Sequence, residues 1–222
     1  RFVGRSRDLH VLQDALTQAE AGNGQVVGIV AEAGAGKSRL CFEFLEQCRA
    51  QGIPVFEGRA VAHGRNVPLL PILEVFRAFF GVRPEDTNTS AQEKIQSRLL
   101  ALDASIADAV PLVFEFLGVP DAARPAPLVD PTTRQRQILA LMRHVIKRAG
   151  DLRTSVTLIE DLHWIDPAST EFLEHMIDAR ADSHSLLVLN YRPEYRADWL
   201  RNAWCKQVAL APLADDDVGE RL

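Results

Sequence analysis

The run AEAGAGKSRL, residues 31–40, places two glycines, a lysine and a serine at a spacing that could do chemistry. Gly34 and Gly36 let a backbone curl without Cβ clashes. An apolar run before them and an amphipathic run after them make strand, tight loop and helix. That arrangement presents backbone N–H groups and a positive helix end to phosphate. Lys37 would reach the outer phosphates of a nucleotide, and the Ser38 hydroxyl would coordinate Mg²⁺. The pattern G-x-x-x-x-G-K-S/T is complete except at its first position, where Ala31 stands. Alanine adds one methyl and disfavours positive φ, but it removes no N–H donor. The substitution is expected to weaken or reshape the loop without abolishing binding.

A second group lies in VTLIEDLHWIDP, residues 156–167: an apolar strand that ends in Glu160 and Asp161. One acid would hold the hydrated metal and the other would orient the attacking water. Two adjacent acids at a strand's carboxyl end lie in the crevice where α/β sheets bind ligands. Which acid does which job stays open. His163, Trp164 and Asp166 follow. Trp164 is expected to pack and position the loop, and His163 to make a structural hydrogen bond rather than relay nucleotide state. His63, Arg65 and Asn66 also follow a strand, at the edge of the same crevice.

The elements that must position these groups are legible as periodicity. Leu9, Leu12, Leu16 and Ala19 keep a helical period, with Ser6 as the expected cap and Gly22 and Gly24 as the stop. QVVGIVA, 25–31, is a short β-branched run suited to a buried parallel strand. In 37–52, Leu40, Cys41, Phe44, Leu45 and Cys48 share the inward face of a helix, and IPVFEG, 53–58, is a second strand. From about 59 to 150 several helical pieces follow, with Asp130 and Pro131 as cap and first residue of the last. They read as a helical insertion rather than a separate domain. Strand signals return at 154–161, 185–191 and 206–210, with a helix from about Pro167 to Ala179 between the first two. Alternation of this kind implies an α/β fold with a parallel sheet covered on both faces.

Bulk properties narrow the field. With 222 residues, 47% hydrophobic and 25% charged, the chain has an ordinary globular balance. A net charge of −5 argues against non-specific grip on nucleic acid. No apolar run is long enough for a helix across a membrane. Cys41, Cys48 and Cys205 form no C-x-x-C pair. They are expected to be core thiols in a reducing, cytoplasmic compartment. The chain opens on Arg1 inside a motif, so it is expected to be part of a longer polypeptide.

The segments FVGRSRDL (2–9), AEAGAGKSRL (31–40), EDLHWIDPAST (160–170) and NYRPEY (190–195), in that order, resemble the STAND branch of AAA-type ATPases. The chain is similar above all to the ATPase modules behind class III adenylate cyclase domains and in large ATP-dependent transcriptional regulators. The resemblance covers nearly the whole chain. It implies a P-loop NTPase core of the ASCE/AAA-like type over 1–210. The implied five-stranded parallel sheet has the order 5-1-4-3-2, with the helical insertion between strands 2 and 3. A lid domain would begin within 211–222. ATP or ADP with Mg²⁺ would be the cofactors, and Glu160 stands where many relatives have Asp. The same resemblance puts Val3, Gly4 and Arg5 against adenine and ribose. It makes Arg192 the sensor of the γ-phosphate, on a strand between the loop strand and the acidic strand. Ala33, Gly34, Ala35, Gly36, Lys37, Ser38 and Arg39 would cradle the nucleotide; Lys37, Glu160, Asp161 and Arg192 would carry catalysis; and Ser38, Glu160 and Asp161 would serve the metal.

The expected function is a regulatory ATPase whose slow hydrolysis switches an effector domain, a cyclase or a DNA-binding domain, in the same polypeptide. The alternative is a nucleotide-dependent scaffold that hydrolyses nothing. A small-molecule kinase lacks a second substrate site, and a DNA-loading ATPase lacks a basic stripe. The module itself is expected to touch neither nucleic acid nor membrane. A nucleotide-dependent oligomer is implied only by family analogy.

Overall fold

A computed structural model describes residues 5–62, 68–180, 182–201 and 205–211. Val3, Gly4, His63, Arg65, Asn66 and the expected lid segment from 212 onward lie outside the described residues. Five strands form one sheet: β1 Gln25–Val30, β2 Val55–Arg59, β3 Ser155–Glu160, β4 Ser185–Tyr191 and β5 Cys205–Ala209. Their order is β2-β3-β4-β1-β5, and each neighbouring pair is parallel. Read from the other edge this is the expected 5-1-4-3-2.

Seven α-helices are described: α1 Ser6–Glu20, α2 Lys37–Ala50, α3 Leu70–Phe80, α4 Asn88–Leu102, α5 Val110–Phe116, α6 Pro131–Leu152 and α7 Pro167–Asp178. Alternate side chains of the strands feed two cores, as strand geometry requires. On one face Val27, Ile29, Leu158 and Val188 pack with Leu12 and Leu16 of α1 and Leu40, Phe44 and Leu45 of α2. On the other, Ile159, Leu187 and Leu189 pack with side chains of α3, α4, α5, α6 and α7. All seven residues of β4 are buried, so the central strand has no solvent-facing side. The helices of 70–152 thus bury their apolar faces in the same core as the sheet. Aromatic pairs recur among their contacts, including Phe56 edge-on to Phe79 at 5.4 Å and Phe116 stacked on Phe172 at 5.7 Å. Gly58 permits α3 to close over β2, because a Cβ there would meet the Pro71 carbonyl at 2.1 Å.

The Asp130 carboxylate accepts from Thr133 N at 3.0 Å and caps α6 as the sequence led one to expect. Ser6 does not cap α1. It is the first helical residue, and Arg5 holds the cap position without a side-chain cap bond. The guanidinium of Arg5 is committed elsewhere, so the start of α1 is fixed by tertiary contacts rather than by a local cap. Among the described residues no helix is long and apolar enough to cross a membrane.

The three thiols are free, and burial raises the pKa of each, Cys41 to about 12 and Cys48 and Cys205 to about 11. Since the thiolate is the reactive form, a disulfide-exchange reagent at about pH 8 is expected to leave all three unmodified in the folded chain. All three react after denaturation. Rapid modification of any of them in the native chain would contradict the packing of α2 or β5.

Candidate functional site

The loop 31–36 leaves the carboxyl end of β1 and enters α2 through two glycines that need their freedom. Gly34 has φ 78° and Gly36 φ 91°, a left-handed region that costs a residue with a Cβ about 1–2 kcal/mol. Ala31 is a different case. Its φ is not positive, it is only 4% exposed, and its methyl belongs to the core beneath the loop. Its N–H donates to the Tyr191 carbonyl at 3.3 Å and so continues the β1–β4 ladder. The position that breaks the expected pattern therefore carries no strain, and alanine there adds buried apolar surface. Ala31→Gly is expected to destabilise the chain by about 1 kcal/mol, from the lost methyl and the freer unfolded backbone, with little change in nucleotide affinity. Gly36→Ala is expected to cost about 1–2 kcal/mol and to weaken binding as well. Thermal unfolding and titration calorimetry on the two variants check both.

Lys37 opens α2 at 8% exposure, and its Nζ donates to the carbonyls of Ala31 at 2.6 Å and Glu32 at 2.9 Å. Burial first, then the nearby Arg192, lowers its pKa; Asp161, Glu32 and Glu194 act in the opposite direction. Ser38, one residue on, donates its hydroxyl to Glu160 Oε2 at 2.8 Å. The two sequence motifs, 122 residues apart, thus meet in one hydrogen bond.

Asn190 braces that meeting point. Its Nδ2 donates to the same Glu160 oxygen at 2.9 Å, and its Oδ1 accepts from the backbone N–H of Asp161 at 2.8 Å. It is fully buried, a polar side chain directly after the apolar run 186–189 of β4. Asp161 itself sits at φ 61°, a left-handed conformation that Asp tolerates better than most residues. The turn aims its carboxylate at Arg59, whose Nε donates to Oδ2 at 3.0 Å. Arg59 ends β2 in register with Glu160, which brings it to the site. Sequence reasoning missed both Asn190 and Arg59. A buried amide at the end of an apolar strand was the available signal for the first; the second needed the strand register.

The turn after β3 carries His163 and Trp164, whose rings lie 5.1 Å apart. Arg192, half-buried after β4, holds its guanidinium 5.9 Å from the Trp164 ring. Trp164 packs between the two. The structural hydrogen bond expected of His163 is absent: both ring nitrogens are buried with no partner among the described residues. Burial first and then Arg192 lower its pKa, against the opposing influence of Asp161 and Glu194. The aromatic contact with Trp164 occupies the ring instead.

Other expected residues lie further out. Ala33 and Gly34 are exposed on the loop, while Ala35 and Gly36 are half-buried. Arg39 pairs with Glu43 along α2 and lies 5.7 Å from the Phe42 ring, turned to solvent rather than to Glu160. Arg5 is 7% exposed and donates to the carbonyls of Ala35 at 2.9 Å and Ala211 at 2.6 Å. It ties the glycine loop to the chain just past β5.

The donor set suits a small hard cation shared with a ligand. A hydroxyl and a carboxylate oxygen converge, and Mg²⁺ usually takes one or two protein oxygens and completes its shell with water and phosphate. Among the described residues no group of three or more His, Cys, Asp or Glu side chains could hold a metal by itself.

A family model described as AAA ATPase domain matches residues 1–189. An uncharacterized protein of Rhizobium meliloti (strain 1021) is 30% identical over 222 residues, 98% of this chain. The chain spans 21% of the length of that relative. A solved structure described as Drosophila ORC bound to DNA is similar with a TM-score of 0.39 at 9% identity, over 96% of this chain and 97% of that one. That likeness is too distant to bear on the site.

Proposed function

The chain belongs to the AAA ATPase domain family, and from that premise we propose that it is a regulatory ATPase of the STAND type. Family membership makes it a nucleotide-binding module. The finer reading is that Mg·ATP binding and slow hydrolysis switch an effector domain of a longer polypeptide, a nucleotide cyclase or a DNA-binding domain. One observation carries it: the Ser38 hydroxyl and the Glu160 carboxylate meet at 2.8 Å at the carboxyl ends of the strands, braced by Asn190.

That geometry supports the following roles. Backbone N–H groups of 33–39 and the N-terminus of α2 receive the phosphates. Lys37 exchanges its two carbonyl acceptors for phosphate oxygens. Ser38 and Glu160 would hold Mg²⁺, which would supply positive charge against the phosphates. Asp161, close enough to Lys37 and His163 to influence both electrostatically, orients the attacking water. Arg192 approaches the γ-phosphate from the neighbouring strand, and Arg5 lies beside the glycine loop through its bond to the Ala35 carbonyl.

Two contacts support slow turnover. Asp161 is held by Arg59, and Lys37 by its own loop, so both must exchange partners before reaction. The movement of those partners, together with the Arg5 tie to Ala211, is a route by which nucleotide state reaches the neighbouring segment. Phosphate release from Mg·ATP, measured on the unaltered chain and on Asp161→Asn, tests the reading. A rate that falls in the variant supports an ATPase; no release by either leaves the non-hydrolysing scaffold.

A further inference from the structure

At the opposite end of the sheet from the glycine loop, Arg180 follows α7 into the core at 3% exposure. Its Nη1 donates to the Met176 carbonyl at 2.8 Å and its Nη2 to Thr157 Oγ1 at 3.0 Å. Its Nε–H has no acceptor among the described residues. Burial alone pushes its pKa down to about 10, and no carboxylate among the described residues pairs with it. A guanidinium taken out of water without a counter-charge is a costly arrangement. The last carbonyls of α7 offset only about half a unit charge.

Beside Arg180 lies a partly open cavity of about 30 Å³, bordered by Arg180, Thr157, Ser155 and Ser185 and by apolar side chains of β2, α3, α6 and α7. A single water needs about 10–15 Å³, so the space takes one small ion and no organic acid. The Thr157 hydroxyl accepts from Arg180, which leaves its own proton to donate. On its other side Arg180 borders a cleft of about 340 Å³ that carries Asp178 and Asp182, the wrong sign for an anion.

We propose that the cavity beside Arg180 is a binding site for a small monovalent inorganic anion of chloride size, held by the guanidinium and the Thr157 hydroxyl. The occupant completes the charge balance of the core. It also pins the C-terminus of α7 to β3, the strand that ends in Glu160.

The test compares thermal unfolding of the chain in sodium chloride and in sodium gluconate at matched ionic strength, since gluconate is too large for the cavity. Chloride is expected to raise the melting temperature saturably, by about 2–4 °C over gluconate. Bromide replaces it and gives an anomalous peak beside Arg180 in a crystal. Arg180→Met removes the difference between the salts. Thr157→Val, which conserves shape, decides the matter should Arg180→Met fail to fold, and it too is expected to abolish the chloride increment. Equal melting in both salts, or an increment undiminished in Thr157→Val, overturns the proposal.

Discussion

Lys37→Ala is expected to lower the affinity for Mg·ATP by about 100-fold, or about 3 kcal/mol. The loss follows from charge-assisted hydrogen bonds to phosphate, each contributing about 1.5–3 kcal/mol. The ammonium already stands at the mouth of the loop, where it satisfies the carbonyls of Ala31 and Glu32. A phosphate must win it from those acceptors, so the measured loss is the difference between two sets of bonds. The same substitution leaves two loop carbonyls without their donor, at about 1–3 kcal/mol of stability where water cannot reach them. Circular dichroism and a melting curve separate that effect from binding. An affinity within a few-fold of the unaltered chain would mean that Lys37 stays with its loop and takes no part in binding.

Asp161→Asn is expected to cut turnover by about 100-fold or more while leaving Mg·ATP affinity nearly unchanged, the range expected when a group that accepts or orients a proton is lost. Asparagine suits the backbone there, because it tolerates the left-handed conformation that Asp161 adopts at φ 61°. The amide still accepts a bond from Arg59 but loses the charge pair, and exposed pairs of this kind contribute little to stability. Glu160→Gln should behave differently. It weakens the grip of Ser38 and Glu160 on the cation, so the concentration of Mg²⁺ needed for half-maximal rate rises. Single-turnover kinetics across a magnesium series distinguish the two variants. If Asp161→Asn shifted the magnesium requirement and Glu160→Gln did not, the roles would be reversed.

Much of this site could be read from residue order because its parts are local. Gly34, Gly36, Lys37 and Ser38 form one turn, and the apolar runs on either side announce strand and helix. Glu160 and Asp161 end a strand that periodicity alone reveals. The helices of the insertion were legible for the same reason, down to the Asp130 cap. What periodicity does not carry is which strands lie side by side. Asn190 becomes a brace only because β4 runs next to β3, and Arg59 reaches Asp161 only because β2 pairs with β3 in a register that sets it opposite Glu160. The strand order itself came from resemblance. Ala31 shows the reverse case, since a consensus position read as a weakness proves to be a buried, unstrained core residue. His163 was expected to hydrogen-bond, but its partner is a tilted aromatic ring, and such a contact leaves no mark in a sequence.

The central claim is that the glycine loop grips nucleotide with alanine at its first position. Calorimetric titration of Mg·ATP into the folded, unaltered chain tests it most directly. The account predicts one saturable site of micromolar or tighter affinity. A folded chain that shows no saturable binding of Mg·ATP would contradict it.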